Sequence, residues 1–215
     1  SHLGRGYPFD YDWERWSSPI GNGNIGANIF GRTDVERIQV SEKTFTNGSA
    51  YGRGSVTNAA ELYLDIGHDG FSNYRRELNL NDGIHRVRYE SGGVHYEREY
   101  FTSYPDDVLV VRLTADQRGS LSFAVRPEIP YPVARNELDT KSGLLAVASD
   151  DTITLSGTID YYQVNFEVQV KVLNEGGSLD TQGSVIHVED ADAVTLLLAV
   201  DTNYELGPHI FLNEP

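Results

Sequence analysis

The sequence contains no cysteine and no methionine. Without cysteine there is no disulfide scaffold and no thiol chemistry, although the compartment stays open. Without methionine, residue 1 is not a translation start. Ser1-His2 is therefore expected to be the scar of a removed tag, with 1–10 a tail and 11–215 one domain. No apolar run is long enough to cross a bilayer as a helix. No basic–apolar–small leader opens the chain. Positive charge is scarce: 17 Lys and Arg face 32 Asp and Glu, a net charge of −15. That balance argues against nucleic acid and against an anionic membrane surface, since neither supplies cations to an acidic protein.

Several chemical signatures are also missing. There is no G-x-S-x-G elbow and no phosphate-binding loop. His2, His68, His85, His95, His187 and His209 never pair at i,i+2 or i,i+4, so no compact metal motif exists. His85, His95 and His187 fall within strands and read as packing residues. His68 falls in the Gly67-His68-Asp69-Gly70 turn. Asp106-Asp107, Asp150-Asp151 and Asp190 with Asp192 sit beside strand ends, where aspartate serves turns. They lack the spacing and glycine of a calcium loop. No metal and no cofactor is expected.

What is present is period-two patterning. Val164, Phe166, Val168, Val170 and Val172 alternate with Asn165, Glu167, Gln169 and Lys171, which describes a strand with one wet face. Val94, Tyr96 and Tyr100 alternate with His95, Glu97 and Glu99. Ile84–Glu90 precedes them across Ser91-Gly92-Gly93, a hairpin turn in which glycine supplies positive φ. Val108–Leu113 and Val194–Val200 are continuous apolar runs and read as strands covered on both faces. Further strands are expected at Arg37–Val40, Leu62–Ile66, Ser120–Val125, Leu144–Ala148, Thr152–Leu155 and Ser184–Val188. Asp116–Gly119, Asp150-Asp151 and Gly176-Gly177 read as turns. Ser72–Leu78 is the best helical candidate. Pro127–Pro132 reads as extended and strand-breaking, leading into an excursion through Asn136–Ser142. Many short strands with glycine-rich turns imply an all-β sandwich or barrel.

Gly21, Gly23 and Gly26 satisfy the spacing of a dinucleotide-binding turn, and Glu42 lies about 20 residues on, where a ribose-binding acid would stand. The context refuses it. Trp16-Ser17-Ser18-Pro19 is not a parallel core strand. Only four residues separate Gly26 from Gly31, too few for a helix. The segment reads instead as a glycine turn feeding an edge-on strand, Ile25–Phe30.

The order of several motifs resembles the amino-terminal domain of family 95 glycoside hydrolases. These motifs are Trp16, Pro19-Ile20-Gly21-Asn22-Gly23, Gly26-Ala27 to Phe30-Gly31, Glu36-Arg37-Ile38-Gln39 and Glu42-Lys43-Thr44. They continue with Tyr74-Arg75-Arg76-Glu77-Leu78-Asn79-Leu80, Gly93–Phe101 with Ser103 and Pro105-Asp106, Ala191-Asp192-Ala193 and Asp201–Tyr204. The resemblance implies a large two-sheet antiparallel β-supersandwich with at most short helices. It implies an accessory domain of an inverting α-L-fucosidase or α-L-galactosidase. The chemistry would lie in a following (α/α)6 barrel, absent from this chain, and the parent would be secreted or periplasmic. Ser41, Phe45 and Thr46 depart from the family's Asn, Leu and Trp. The change at Thr46 leaves the substrate open.

No catalytic residue is carried over. An inverting glycosidase sets two carboxyl groups about 6.5–9.5 Å apart across the sugar, and most acids here fall in turns or on solvated strand faces. The candidate surface for the barrel, or for an oligosaccharide, comprises Trp16, Asn22, Asn24, Glu42, Thr46, Asn47 and Tyr51. Thirteen Tyr, eight Phe and two Trp serve strand packing first. Trp13, Trp16, Tyr51, Tyr131 and Tyr161-Tyr162 lie near irregular segments and are the better candidates for contact. Two rivals remain: a stand-alone carbohydrate-binding module, resting on the aromatics, and a sugar-ring epimerase, resting on architecture alone. Asn47-Gly48-Ser49 is a formal glycosylation sequon and reads as a surface turn.

Overall fold

The alternation read from residues 164–172 is present in the structure: Val164, Phe166, Val168, Val170 and Val172 are buried and the residues between them exposed. A computed structural model describes residues 12–47, 55–130, 141–160 and 163–205. Its elements begin with a short helix, α1 (Asp12–Trp16), and strands β1 (Ser18–Gly21), β2 (Ile25–Ile29), β3 (Val35–Glu42), β4 (Thr46–Asn47), β5 (Ser55–Val56) and β6 (Ala60–Asp65). They continue with β7 (Ser72–Asn79), β8 (Ile84–Ser91), β9 (Val94–Ser103), β10 (Val108–Ala115), β11 (Leu121–Glu128) and β12 (Lys141–Ser149). The last are β13 (Thr152–Ile159), β14 (Val164–Glu175), β15 (Ser178–Gln182), β16 (Val185–Ala191) and β17 (Ala193–Thr202).

Two large sheets form the all-β sandwich that the sequence predicts. One has seven strands in the order β1-β2-β3-β6-β11-β16-β15; the other has eight, β12-β13-β14-β17-β10-β9-β8-β7. Neighbouring strands run antiparallel. Ile29, Ile38, Leu64 and Val125 point inward from the first sheet and meet Leu109, Val111, Val170 and Leu196 from the second. Burying each such side chain stabilises the fold by roughly 1.5–3 kcal/mol. Phe45, which follows β3, is fully buried and meets Phe166 edge-on at 4.8 Å between ring centroids.

Five expectations need correction. Ser72–Leu78 is not helical but forms β7, the edge strand of the eight-stranded sheet. Seven residues are too few for a stable helix in water. Pairing with β8 satisfies this backbone instead and sets Glu77 against Arg88 at 3.0 Å. Second, the apolar runs in β10 and β17 are not covered on both faces. Leu109, Val111, Leu196 and Leu198 are buried, whereas Val110 and Leu197 are half-buried and Ala199 is exposed. Third, β2 is not the edge: β1 pairs outside it, with Ser18 opposite Ile29 and Gly21 opposite Gly26. Fourth, β11 passes through Pro127, which stands opposite Leu62, before ending at Glu128. Fifth, β15 was hidden by its polar composition; it is the edge strand beyond β16. The glycine hairpin is as expected, with Gly92 and Gly93 at φ of 60° and 81°.

Candidate functional site

Strand pairing collects three of the proposed contact residues at one end of the sandwich. The β1–β2 turn carries Asn22 and Asn24, and Glu42 stands opposite Ile25 at the end of β3. Asn22 closes its own turn: its Oδ1 accepts the N–H groups of Asn24 (2.9 Å) and Ile25 (2.8 Å). Its Nδ2 crosses to the other sheet and donates to the Ser103 carbonyl (2.7 Å) and to Asp107 Oδ1 (3.1 Å). Asn24 donates to the other oxygen of Asp107. Glu42, nearly fully buried, accepts from the Thr44 N–H at 2.7 Å and from the Thr44 hydroxyl. Thr44 in turn meets Thr202 at the end of β17. The cluster therefore laces the two sheets together at the end where β17 finishes. Asp107 was read in the sequence only as a turn residue and Ser103 and Thr202 only as parts of motifs, because their partners are about 80 to 160 residues away and no local pattern announces the contact.

Trp16 does not join this cluster. It precedes β1, beside the partner of Ile29, and so lies toward the opposite end of that strand pair. Arg76 Nη1 from β7 donates to the Trp16 and Phe30 carbonyls, and the Tyr74 hydroxyl donates to the Gly31 carbonyl (2.7 Å). Trp13, Trp16, Phe71 and Tyr74 are all exposed there, and the Phe71 and Tyr74 rings lie 5.6 Å apart. Thr46 and Asn47 form β4, opposite Val56 and Ser55 of β5. Tyr51, Tyr131, Tyr161-Tyr162, Gly48-Ser49 and the 136–140 stretch lie outside the described residues.

Between the sheets sits an ion pair that the sequence reading missed. Arg98 occupies an inward position of β9 between Tyr96 and Tyr100, where period-two logic calls for an apolar residue. Its Nη1 donates to Glu36 Oε2 at 2.8 Å and its Nη2 to the Arg32 carbonyl at 2.7 Å. Glu36 also accepts from the Gly31 N–H (2.8 Å), the Arg37 N–H (3.2 Å) and the Tyr100 hydroxyl (3.1 Å). Burial pushes the Glu36 carboxyl above the usual range, against the pull of Arg98 and these donors. His85, opposite Tyr100 on β8, is fully buried and neither ring nitrogen has a protein partner. Burial, aided by the Arg76 and Arg98 charges, pushes it down to about 4. It is held neutral. His68 bonds the Tyr89 hydroxyl at 2.9 Å and packs on Tyr96, so it too serves the fold.

The outer face of the seven-stranded sheet holds a second buried pair. Arg37 clasps Glu61 with two bonds of 2.9 and 2.7 Å, and Gln39 (3.0 Å) and Tyr63 add donors to the same carboxylate. Burial alone would raise Glu61, but Arg37 and these donors hold it below its usual range. Chemically, these carboxylates are saturated. A general acid must offer a proton to a bound leaving group, and a general base must reach a water. Glu36 and Glu61 instead spend both oxygens on arginine, amide, backbone and hydroxyl donors of the fold, and Glu42 spends one, Oε2, on Thr44. Among the described residues no three His, Asp or Glu side chains are grouped to hold a metal. Two of the described concavities are wide and open, with mixed polar and apolar linings. One of about 510 Å³ lies over Ser156, Thr158, Asn165, Glu167 and Asp201, and one of about 420 Å³ over Arg88, Glu90, His95 and Asp116.

Comparison with known proteins gives this sandwich a class. The putative kojibiose phosphorylase from the human microbiome has a similar fold, with a TM-score of 0.50 at 9% identity over 87% of this chain and 30% of that one. That likeness shows the fold alone, a large two-sheet β-sandwich. More specifically, the chain belongs to the family described as glycosyl hydrolase family 65, N-terminal domain, whose model matches residues 43–206. Curated relatives bear out the likeness to the amino-terminal domains of fucosidases. Alpha-L-fucosidase 2 of Arabidopsis thaliana is 27% identical over 88% of this chain and 29% of its own length. Probable alpha-fucosidase A of Aspergillus niger is 30% identical over 87% of this chain and 28% of its own length. The chain thus spans less than a third of these relatives.

Proposed function

We propose that this domain is the non-catalytic amino-terminal part of an exo-glycosidase acting on α-L-fucosides or α-L-galactosides. It packs on an (α/α)6 helical-barrel catalytic domain of the same parent chain, and the parent is a secreted or periplasmic glycan-degrading enzyme. The observation that carries the reading is the match along most of this chain to less than a third of two proteins named as fucosidases. The saturated carboxylates agree with it, since none offers a free acid–base pair. The test compares release of L-fucose and L-galactose from aryl glycosides by the isolated chain and by the full-length parent. Turnover by the parent and none by the chain is expected. Turnover by the 215-residue chain would place the chemistry here and overturn the reading.

A second reading, direct carbohydrate binding, is favoured by one observation. Trp13, Trp16, Phe71 and Tyr74 expose aromatic faces beside the Arg76 bridge, and aromatic rings with apolar faces stack on sugar C–H groups. Titration calorimetry with fucosylated and galactosylated oligosaccharides should then give saturable heats that Trp16→Ala removes. Flat heats from the unsubstituted chain would dismiss it.

A further inference from the structure

From the uncovered apolar centre of the eight-stranded sheet we infer that this outer face is the docking surface for the part of the parent chain that follows the domain. Val108–Val111 of β10 and Leu196–Val200 of β17 are uninterrupted apolar runs, the pattern of strands covered on both faces. Here only their inner faces are covered. In register, Val110 stands opposite both Phe101 of β9 and Leu197 of β17. Val108 and Ala199 continue the block in the next row, opposite Ser103 and Gln169. These five side chains form a patch three strands wide, each half-buried except the exposed Ala199.

The surroundings have the form of an interface rim. Toward β8, Arg86 pairs with Glu99 (2.7 Å) and Arg88 with Glu97 (2.6 Å). Toward β13, Gln169 donates to Glu167 (2.7 Å) and Lys171 pairs with Asp151 (2.8 Å). A dry centre within a polar, internally bonded border is how protein interfaces are built. Among the described residues the opposite outer face has a polar centre instead: Arg37, Gln39, Glu61 and Tyr63 are buried there and bonded through Glu61.

Chain length supplies the occupant. This inference rests on the reading above, that the chain is the amino-terminal part of a longer enzyme. The family is an N-terminal domain and more than two thirds of each of the two fucosidase relatives lies outside the match. β17, which carries Leu197 and Ala199, is the last described strand and lies at the centre of this sheet. The last described strand thus belongs to the sheet that bears the patch, and the following domain presents an apolar surface to it.

The absence of cysteine provides the test. Val110→Cys and Ala199→Cys are made singly, in the isolated chain and in the full-length parent, with Glu189→Cys on an exposed position of β16 as control. Maleimide labelling is read by mass on the peptide carrying each site. Positions 110 and 199 should label at least tenfold more slowly in the full-length parent than in the isolated chain, with position 189 unchanged. Equal rates in both proteins would overturn the inference. So would protection in the isolated chain that grows with protein concentration, which would make a second copy the occupant. Ala199→Cys is nearly isosteric at an exposed site, so it reports even if Val110→Cys disturbs folding. Glycosidase activity of the same parent is read separately, so loss of the enzyme reading and loss of the docking surface are distinguishable.

Discussion

Replacing Arg98 with methionine isolates the contribution of the buried Glu36–Arg98 pair. The Glu36 side chain is fully buried and that of Arg98 is 2% exposed, with 2.8 Å between them. Methionine keeps most of the packing volume and removes the charge. Glu36 is then left inside with only two backbone N–H donors and one hydroxyl. Removing one partner of a buried pair costs about 3–5 kcal/mol. Restoring charge balance with Glu36→Gln should recover about 2 kcal/mol of that loss, because Gln Oε1 still accepts from Gly31 and Arg37 while no charge remains buried. The loss should also depend on pH. In Arg98→Met the Glu36 carboxyl is raised further above its unfolded value of 4.5. A carboxyl raised in the folded state binds more protons there than in the unfolded chain. Stability is then fully present below the unfolded pKa and declines as pH rises toward the folded one, by up to about 1.4 kcal/mol per unit. Urea unfolding of the wild-type, single and double variants at pH 5 and pH 8, followed by circular dichroism, measures each difference at one pH, so titrating groups that Arg98 does not influence cancel, and His85→Leu in the same backgrounds removes one that it does. An Arg98→Met penalty equal at both pH values, with no recovery in the double variant, would refute the account of a buried uncompensated carboxylate.

His85 works in the opposite sense. Its folded pKa lies at about 4, below the unfolded value near 6.5, so the domain should lose stability as pH falls from about 6.5 to 4. His85→Leu should flatten that part of the urea-midpoint profile, and an unchanged slope would count against a buried neutral imidazole. Gly177 and Gly183 both have positive φ, 63° and 65°, but a Cβ on Gly177 would lie 2.1 Å from the Glu189 carbonyl oxygen while Gly183 faces open space. Gly183→Ala should cost about 1 kcal/mol and Gly177→Ala at least twice that in chemical denaturation; equal costs would remove the steric argument. Asn22→Ala loses the bonds that tie the β1–β2 turn to Ser103 and Asp107. It should cost about 1–2 kcal/mol and speed amide exchange at Asn24 and Ile25, and unaltered exchange there would show that the turn closes without it.

The legible parts of the fold were those that a single strand can report. β14 announces itself because its side chains alternate without interruption, and β8–β9 because two glycines sit at the only break between alternating runs. The misread parts lie where local pattern and tertiary use diverge. Ser72–Asn79 has neither a clean alternation nor a helical stripe, and β8 beside it decided for a strand. Asn22, Asn24 and Glu42 lie near one another, since β2 and β3 adjoin in sequence and pair. Trp16 was placed with them wrongly, because four residues of extended β1 carry it away from the turn.

By itself, the sequence determined the class: period-two burial and glycine turns leave a chain of this composition little but antiparallel sheets. It also determined that the chain has no thiols. The tertiary structure alone decided where charge could be buried. Arg98 and Glu36 are 62 residues apart, and each looks like an error in its own strand. Only when β3 and β9 face each other across the core does each supply what the other needs, because a buried charge is tolerated when its partner and its hydrogen bonds arrive together. The packing also left one apolar face of β10 and β17 without a cover, which the sequence pattern, read one strand at a time, had counted as covered.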